Sequence, residues 1–397
     1  MWRGRRVVLG VTGGIAAYKS VLLARDLASR GALVDVILTR GATEFIGVPT
    51  FEAVTRRPVR TSLWERDGAL DHVTLGETAD LVIVAPATAH LIARAAQGMA
   101  DDLLTALLLA TRAPVLVAPA MNDEMFADEA TTANLVRLRE RGWHQVGPVV
   151  GALAEGPSDR PGRMAEPAEI VAHGERVLAG PGPLLGLKVV VTAGPTREGI
   201  DPVRVITNRS SGKMGYRIAE AAWRRGAEVT LITGPSTEAA PAGVTMRRVE
   251  TTAELKDAVA GHLPSSDVLV MAAAPADYRP VSTRESKLPR SEGGFTLAFE
   301  STEDILLATM PQRHAGLTVV GFALETGAAV EKGRAKLNRK QLDLIVINDA
   351  FEVGAGFDVD TNAVTILDCQ GGEQHVSLRS KADVAEAILD AIEVYRG

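Results

Sequence analysis

The chain has 397 residues, of which 46% are hydrophobic and 23% are charged, close to the mix of an ordinary globular protein. At roughly 150 residues per domain, this length predicts two or three domains, and the composition excludes a disordered or fibrous chain. The net charge of -6 argues against a dedicated nucleic-acid binder, whose surface would be basic. The single cysteine, Cys369, excludes an internal disulfide and a zinc site built from thiolates.

The first residues are basic, but the apolar run at 7–11 is too short for the core of a signal peptide. No apolar run approaches the roughly 18 residues of a membrane-spanning helix. We therefore expect a cytoplasmic protein that binds no membrane.

Short, continuous apolar runs recur along the chain, and helical patterns separate most of them. These runs cover residues 7–11, 33–39, 81–85, 115–118, 189–192, 229–233, 268–272, 317–322 and 344–348. Continuous apolar strands that alternate with helices are typical of parallel sheets covered by helices on both faces. The chain is therefore predicted to be an α/β protein.

The pattern of strand, glycine-containing turn and helix begins twice, at residues 7 and 189, and the richest Gly/Pro stretch lies between the two halves. This predicts two Rossmann-like parallel-sheet domains, 1–182 and 183–397. The second domain also carries antiparallel signals. The residues from Phe295 to Phe299 alternate, and an apolar pattern turns over Gly371 and Gly372 as in a hairpin, on which Cys369 falls.

The first predicted strand leads into Thr12-Gly-Gly-Ile-Ala-Ala-Tyr-Lys19. Two glycines that open a helix let backbone N–H groups face a phosphate at the positive end of that helix. The G-x-G-x-x-G spacing is missing, which favours a mononucleotide over a dinucleotide. A merely tight connection between strand and helix stays open at this point.

Two later strands end in similar small residues, Ala85-Pro-Ala-Thr-Ala and Ala118-Pro-Ala-Met-Asn, which leave room for a flat ligand. In parallel sheets, ligands bind beyond these carboxyl ends. The amide of Asn122 could bind a carboxylate. His72, just before the third long strand, is a candidate catalytic base, and a structural histidine is the alternative.

In the second half, the polar segment Ile206-Thr-Asn-Arg-Ser-Ser-Gly-Lys-Met-Gly lies between a strand and a helix and suits an anionic ligand, although it lacks Walker A spacing. Lys332, Lys336 and Lys340 repeat every four residues and so share one helical face. Only nine of the 43 basic residues are lysines, which favours a triphosphate-binding row over a solvated face. Lys287, in a polar loop, could stabilise charge on a reacting phosphate.

The motifs TGGIAAYK, the His72 segment, APATA, GMADDL, PAMNDEM and PGRM resemble, in that order, the flavin-dependent cysteine decarboxylase family. The motifs ITNRSSGKMG and ADYRP followed by a lysine are similar to the phosphopantothenate–cysteine ligase family. Nearly the whole chain resembles the bifunctional decarboxylase/ligases of coenzyme A biosynthesis. The resemblance implies a flavodoxin-like flavoprotein domain, a ligase domain with added antiparallel strands, and a homo-oligomer. It further suggests a dodecamer built from flavin-domain trimers and ligase-domain dimers.

For the decarboxylase step, the resemblance implies that FMN serves to oxidise the thiol end of 4′-phosphopantothenoylcysteine before carbon dioxide leaves. His72 matches the catalytic base of the family and Asn122 its contact to the substrate carboxylate. The residues in the flavin-binding motifs are Gly13, Gly14, Pro86, Ala87 and Thr88. Family members often place a cysteine in the flap before PGRM, where it donates a proton to the enethiolate. This flap reads Ala154-Glu-Gly-Pro-Ser-Asp-Arg-Pro-Gly-Arg-Met, so Ser158, Asp159 or water are the candidate donors.

For the ligase step, the resemblance implies that the carboxylate of 4′-phosphopantothenate attacks CTP in the presence of Mg²⁺. The acyl-cytidylate is then attacked by the amine of cysteine. Asn208 is expected to contact the acyl group and Lys287 to assist its formation. The implied CTP-binding residues are Ala273, Asp277, Lys287, Asp304, Ile305, Phe322, Lys336 and Lys340. The metal ligands, the preference for CTP over ATP and regulation by coenzyme A stay open.

Two alternatives fit the architecture less well. A two-domain Rossmann-like oxidoreductase would need the missing G-x-G-x-x-G turn and the acidic residue that follows it. A nucleotide-sugar transferase would leave His72 and the Asn122 segment without a role.

Overall fold

The computed structural model describes residues 1–64, 70–287, 296–325, 327–349 and 359–397. The chain divides into two units, Met1–Gly180 and Pro181–Gly397, which we call the N-terminal and the C-terminal unit. The domain boundary predicted near residue 182 lies close to this division. None of the helices in the described ranges is long and apolar enough to cross a membrane.

The N-terminal unit alternates strands and helices. Its strands are β1 (Arg6–Val11), β2 (Leu33–Leu38), β3 (Val59–Arg60), β4 (Leu81–Ala87), β5 (Val115–Pro119), β6 (His144–Gln145), β7 (Val149–Val150) and β8 (Pro161–Arg163). Its helices are α1 (Ala17–Ser29), α2 (Arg40–Thr43), α3 (Val48–Thr55), α4 (Asp71–Thr78), α5 (Ala89–Gln97), α6 (Leu103–Ala110), α7 (Asp123–Ala127), α8 (Glu129–Glu140) and α9 (Pro167–Ala179).

The main sheet of this unit has the strand order β3-β2-β1-β4-β5-β6, and its neighbouring strands are parallel. Without the two-residue edge strand β3, this is the order of a flavodoxin-like sheet. Every residue of β4 is buried, because helices cover both faces. One core contains Leu23, Leu27 and Phe51, and the other contains Leu91 and Leu107.

The C-terminal unit begins with a second alternation and ends in antiparallel strands. Its strands are β9 (Lys188–Ala193), β10 (Arg197–Gly199), β11 (Val205–Thr207), β12 (Glu228–Thr233), β13 (Thr245–Arg248), β14 (Val268–Met271), β15 (Tyr278–Pro280), β16 (Phe299–Ser301), β17 (Thr318–Glu325), β18 (Leu344–Asp349), β19 (Thr361–Asp368) and β20 (Glu373–Ser380). Its helices are α10 (Lys213–Arg224), α11 (Thr252–His262), α12 (Ile305–Ala308), α13 (Ala329–Arg339) and α14 (Lys381–Arg396).

The large sheet of this unit has the order β13-β12-β9-β14-β17-β18-β19-β20. It is parallel up to β18, whereas β19 and β20 pair in the antiparallel sense. Gly371 and Gly372 lie in the turn between them, which confirms the predicted hairpin. In the alternating segment predicted from residue 295, the last residue begins β16, which pairs with β15. Residue 295 itself lies outside the described residues.

All nine of the predicted long strands are confirmed, and with them the α/β fold class. The edge strands β3, β6 and β13 were not predicted. They are two to four residues long and partly exposed, so they give neither a continuous apolar run nor a clear alternation. The carboxyl ends of the long strands, where ligands bind in such sheets, are therefore correctly placed by the sequence.

Candidate functional site

A cleft of about 860 Å³ opens at the carboxyl ends of β1, β4 and β5 in the N-terminal unit. This volume lies within the usual range of pockets that hold a cofactor or a small ligand. Four of the predicted site residues line the cleft: Gly13, Gly14, Thr88 and Asn122. The flap, which we define as residues 149–163, covers one side of it.

The turn after β1 depends on glycine. A Cβ at Gly13 would lie 2.7 Å from the carbonyl carbon of Gly41, a distance that real Cβ atoms do not show. A Cβ at Gly14 would meet nothing nearer than Cγ2 of Thr88, at 3.6 Å. The turn leads to the N-terminus of α1, where the helix dipole favours a negative charge. In this first turn, the N–H groups of Ala17 and Lys19 donate to the carbonyls of Gly14 and Ala16. This part of the cleft fits the phosphate of a mononucleotide such as FMN.

Hydrogen bonds join the ends of β1 and β4. Oγ1 of Thr12 donates to the carbonyl of Pro86 at 2.7 Å and accepts from the N–H of Thr88 at 3.2 Å. Pro86 and Ala87 are buried in β4 and do not line the cleft. We conclude that Thr88 faces the cleft, whereas Pro86 and Ala87 shape the strand end behind it.

The amide of Asn122 has a fixed orientation. Its Oδ1 caps α7 and accepts from the N–H groups of Glu124 at 2.9 Å and Met125 at 3.4 Å. Its Nδ2 is thereby directed at the flap, where it donates to the carboxylate of Glu155.

His72 lies in the first turn of α4 and is half-buried. It is not among the residues that line the cleft, because α4 packs against α6. Its Nδ1 atom is buried and forms no hydrogen bond with the residues that the structure describes. A single copy of the chain therefore does not bring this candidate base to Gly13 and Asn122.

The two flap residues predicted as proton donors are placed differently from Glu155. Oγ of Ser158 donates to Oδ2 of Asp123 at 2.5 Å, and this hydrogen bond lowers the pKa of that carboxyl. Asp159 is exposed, and neither Ser158 nor Asp159 lines the cleft, whereas Glu155 does. Sequence reasoning missed Glu155, although it lies in the flap segment.

Lys19 is a second residue of the cleft that the sequence did not single out. It is only 4% exposed, and its Nζ lies 3.1 Å from the carbonyl of Met164 and 2.8 Å from Oε1 of Glu166. The hydrogen bond from Lys19 lowers the pKa of Glu166. These contacts join α1 to Met164 and Glu166, which directly follow the flap. The scarcity of lysine in the chain is the signal that could have marked this residue.

Among the predicted ligase residues, Asn208 lies in the loop after β11, and Ala273 lies in the loop after β14. Nδ2 of Asn208 donates to the carbonyls of Ala274 at 3.3 Å and Pro275 at 2.9 Å. The N–H of Ala273 donates to Oγ1 of Thr192, in β9, at 3.1 Å. The structure thus brings Asn208 next to the segment that begins at Ala273, although the two lie far apart in the sequence.

A second group of predicted residues surrounds α12. The carbonyl of Asp277 accepts the N–H of Thr302 at 2.9 Å. Asp304 is the residue that caps α12, and its Oδ2 lies 2.9 Å from Nζ of Lys340. Ile305 follows and is buried. Asp304, Ile305 and Lys340 are therefore neighbours in space, as a shared nucleotide site requires.

The predicted row of lysines divides between two carboxylates. Nζ of Lys336 lies 2.5 Å from Oε1 of Glu325, and Nζ of Lys332 lies 4.0 Å from Oε2 of the same residue. Helix α13 ends one residue before Lys340, which pairs with Asp304 instead. Whether the three ammonium groups bind one triphosphate stays a prediction.

The two remaining predicted ligase residues are Phe322 and Lys287. Phe322 is half-buried within β17, in register with Val346 of β18. Lys287 is exposed and adjoins residues 288–295, which lie outside the described part of the chain. Within the described residues, no cluster of three or more His, Cys, Asp or Glu side chains could hold a metal ion.

A smaller cavity of about 490 Å³ lies beside the polar segment after β11. It is lined by hydroxyl groups, including those of Ser210 and Ser211, and by Arg197 and Arg248. Hydroxyl and guanidinium donors around one cavity suit an anionic ligand. The cavity is also lined by Glu250, whose Oε1 lies 3.7 Å from Nη1 of Arg197, so the anionic ligand expected at the Ser-Ser-Gly-Lys segment stays a prediction.

Comparison with known proteins matches both units. Residues 1–177 match the Flavoprotein family model, and residues 184–395 match the model of the DNA/pantothenate metabolism flavoprotein C-terminal domain. The coenzyme A biosynthesis bifunctional protein CoaBC of Vibrio cholerae is 45% identical over 393 residues, which cover 98% of each chain. CoaBC of Mycobacterium bovis is 45% identical over 406 residues, or 98% of this chain and 97% of the relative.

Solved structures are similar to one unit at a time. A C-terminal domain of CoaBC is 38% identical with a TM-score of 0.46, and covers 54% of this chain and 97% of its own. A mutant PPC decarboxylase complexed with pantothenoylaminoethenethiol is 28% identical with a TM-score of 0.39. The match covers 43% of this chain and 97% of the decarboxylase chain.

A flavoprotein unit followed by a second Rossmann-like unit is the class of protein that the fold, the cleft and the family models define. The chain belongs to the family of coenzyme A biosynthesis bifunctional proteins, CoaBC. The predicted bifunctional enzyme of coenzyme A biosynthesis is thereby confirmed, and the flavoprotein match supports the predicted FMN.

Proposed function

We propose that the chain joins 4′-phosphopantothenate to cysteine through an acyl-cytidylate formed from CTP, and then decarboxylates the 4′-phosphopantothenoylcysteine to 4′-phosphopantetheine with FMN. Similarity to CoaBC relatives over 98% of the chain, across both units, is the observation that carries this proposal. The cytoplasmic location expected from the sequence stays a prediction.

In the N-terminal unit, the glycine turn before α1 would bind the FMN phosphate, and Thr88 adjoins this turn in the cleft. FMN, when bound, supplies a two-electron acceptor for the thiol end of the substrate and later returns a hydride. Asn122 would hold the substrate carboxylate through Nδ2, the donor that faces the flap. This orients the carboxylate before carbon dioxide leaves.

His72 would act as the base that removes a proton from the substrate. Its absence from the cleft of one copy supports a homo-oligomer in which a second copy completes the site, up to the dodecamer that the sequence suggests. The apolar residues Ile15, Tyr18 and Leu22 are 64%, 56% and 51% exposed next to the cleft, which also favours association there.

In the C-terminal unit, Asn208 would contact the acyl group and Lys287 would stabilise charge on the reacting phosphate. Ala273, Asp277, Asp304, Ile305, Phe322, Lys336 and Lys340 would bind CTP. The described residues offer no acidic cluster for a metal ion, so Mg²⁺ would enter with the phosphates of CTP. Mg²⁺ bound with CTP would offset part of the negative charge of the phosphates, and the cations of the protein would offset the rest.

The flavin proposal is tested by the spectrum of the purified protein. We expect a flavin absorbance spectrum and the release of FMN upon denaturation. A colourless protein that takes up no added FMN would contradict the proposal for the N-terminal unit.

The ligase proposal is tested by pyrophosphate release, which we expect only when CTP and 4′-phosphopantothenate are both present. Lys287→Gln should abolish this release. Lys188→Gln is the matched control, because Lys188 is exposed at the start of β9, the amino end of that strand. Release that persists in Lys287→Gln, or that needs no 4′-phosphopantothenate, would contradict the assignment. Replacing CTP by ATP in the same assay measures the nucleotide preference.

A further inference from the structure

The tip of the flap is a tight turn that presents Glu155 to the cleft. Strands β7 and β8 form its antiparallel base. The N–H of Leu153 donates to the carbonyl of Gly156 at 2.8 Å, and the N–H of Gly156 donates back at 3.2 Å. Gly156 has a φ of +137°, which side-chain-bearing residues rarely adopt. Ala154 and Glu155 therefore form the tip, and both line the cleft.

Glu155 already occupies the donor that the substrate carboxylate is expected to use. Its Oε1 accepts the hydrogen bond from Nδ2 of Asn122. The backbone N–H groups of α7 hold the other amide atom, so Nδ2 has no freedom to turn away. A substrate carboxylate bound to Nδ2 would therefore bring the carbon that loses carbon dioxide close to the carboxyl of Glu155.

We propose that Glu155 is the flap acid that protonates the enethiolate left by decarboxylation, an inference that rests on the proposed function of the N-terminal unit. The O–H bond of the Glu155 carboxylic acid breaks, and a C–H bond forms at the carbon that lost carbon dioxide. The enethiolate becomes a thioaldehyde, which then takes up the hydride held by the reduced flavin. Glu155 is left as a carboxylate and regains a proton from water, to which it is exposed.

The charge balances within the substrate. Carbon dioxide leaves as a neutral molecule, so the negative charge of the substrate carboxylate remains on the enethiolate. The proton from Glu155 neutralises that charge and leaves the carboxylate of Glu155 in its place.

The other flap groups are less suited to this step. The hydroxyl of Ser158 is a far weaker acid than a carboxyl group, and it is held by Asp123 outside the cleft. Asp159 is a carboxyl group, but it does not line the cleft either. Glu155 is the flap residue that combines an acidic group with a place beside Asn122.

The test is a rapid-mixing experiment on the FMN-loaded full chain with 4′-phosphopantothenoylcysteine as the probe. In Glu155→Gln, we expect the flavin absorbance to bleach and carbon dioxide to be released once. Reoxidation of the flavin should slow by at least about 100-fold, the lower range for a lost general acid. Mass spectrometry of the quenched reaction should then find the enethiol, two hydrogens short of 4′-phosphopantetheine. Glu155→Asp and Glu155→Cys should restore turnover in part, because each again carries an acid at the tip.

Asp159→Asn and Ser158→Ala are the matched controls, and we expect both to turn over as the unmodified chain does. The melting temperature of Glu155→Gln should also equal that of the unmodified chain, since the side chain is exposed. Turnover of Glu155→Gln at the unmodified rate, or accumulation of the enethiol in Asp159→Asn instead, would overturn the assignment of Glu155. Failure of the unmodified chain to bleach with this substrate would instead overturn the proposed function.

Discussion

Nζ of Lys340 lies 2.9 Å from Oδ2 of Asp304, the residue that caps α12. The Lys340 and Asp304 side chains are only 19% and 31% exposed, so the pair is partly shielded from solvent. Lys336, four residues earlier, turns to Glu325 instead. The two lysines proposed to bind CTP therefore pair with different carboxylates, so their contributions to CTP binding can be measured separately.

We expect Lys340→Gln to raise the KM for CTP about tenfold, equivalent to about 1.4 kcal/mol, because one ammonium contact to the nucleotide is lost. The KM for cysteine should change little. Steady-state pyrophosphate release measures both constants. Lys332→Gln is the control, since its Nζ lies 4.0 Å from Glu325 and belongs to the same row. Equal increases in both variants would show a continuous lysine row, and no increase in Lys340→Gln would remove Lys340 from the site.

Gly13→Ala should lower both the melting temperature and FMN retention. The added Cβ would lie 2.7 Å from the carbonyl carbon of Gly41, so the backbone of the turn must move. Gly14→Ala is the matched stability control, because its Cβ would make an ordinary contact of 3.6 Å with Thr88. Thermal unfolding of the two apoproteins tests the difference. Equal melting temperatures would show that the turn accommodates a side chain at residue 13.

The N-terminal unit should become less stable as the pH decreases below about 6.5. Burial, together with the positive charge of Arg176, lowers the pKa of His173 to about 4, whereas an unfolded histidine titrates near 6.5. Between these values the unfolded chain binds a proton that the folded chain does not. The free energy of unfolding then decreases by up to about 1.4 kcal/mol per pH unit as the pH falls.

Urea unfolding at pH 7, 6 and 5 measures this dependence, and His173→Gln should flatten it. The slope should not vanish, because burial also lowers the pKa of His144. His90→Gln, at an exposed position of the same unit, should leave the slope unchanged. If the free energy of unfolding of His173→Gln depends on pH as steeply as that of the unmodified chain, His173 is not the origin of the dependence.

Lys19→Met should destabilise the N-terminal unit by about 1–3 kcal/mol, the usual cost of leaving buried polar partners unsatisfied. The carbonyl of Met164 loses its donor at 3.1 Å, and Glu166 loses one of its two cationic partners. Urea unfolding at neutral pH measures the change. Lys188→Met, at an exposed strand end, is the control for removal of a lysine. A variant as stable as the unmodified chain would show that Lys19 does not fasten the flap.

The sequence predicted the long strands because their apolar runs are continuous, as in β4, where both faces are buried. It also predicted ligand binding beyond the carboxyl ends of the parallel strands, which Gly13 and Asn122 follow, and the structure brings both residues into one cleft. Continuous apolar runs and the residues that follow them can be recognised in the sequence without knowledge of tertiary contacts.

The flap could not be predicted in the same way. Glu155 reaches the cleft through the short pairing of β7 with β8 and the turn between Leu153 and Gly156, and these segments have no apolar period. The partner of Lys336 depends on where β17 ends relative to α13, which is again a tertiary contact. The sequence therefore indicated that an acidic group in the flap and a row of lysines are relevant. It could not indicate which flap residue lines the cleft or which carboxylate each lysine contacts.

The most direct test of the two-step function supplies the purified, FMN-loaded chain with cysteine labelled at its carboxyl carbon and measures labelled carbon dioxide. We predict release only when CTP, Mg²⁺ and 4′-phosphopantothenate are all present, with one pyrophosphate and one 4′-phosphopantetheine formed for each carbon dioxide. Release without CTP or without 4′-phosphopantothenate, or no release from the complete mixture, would contradict the account.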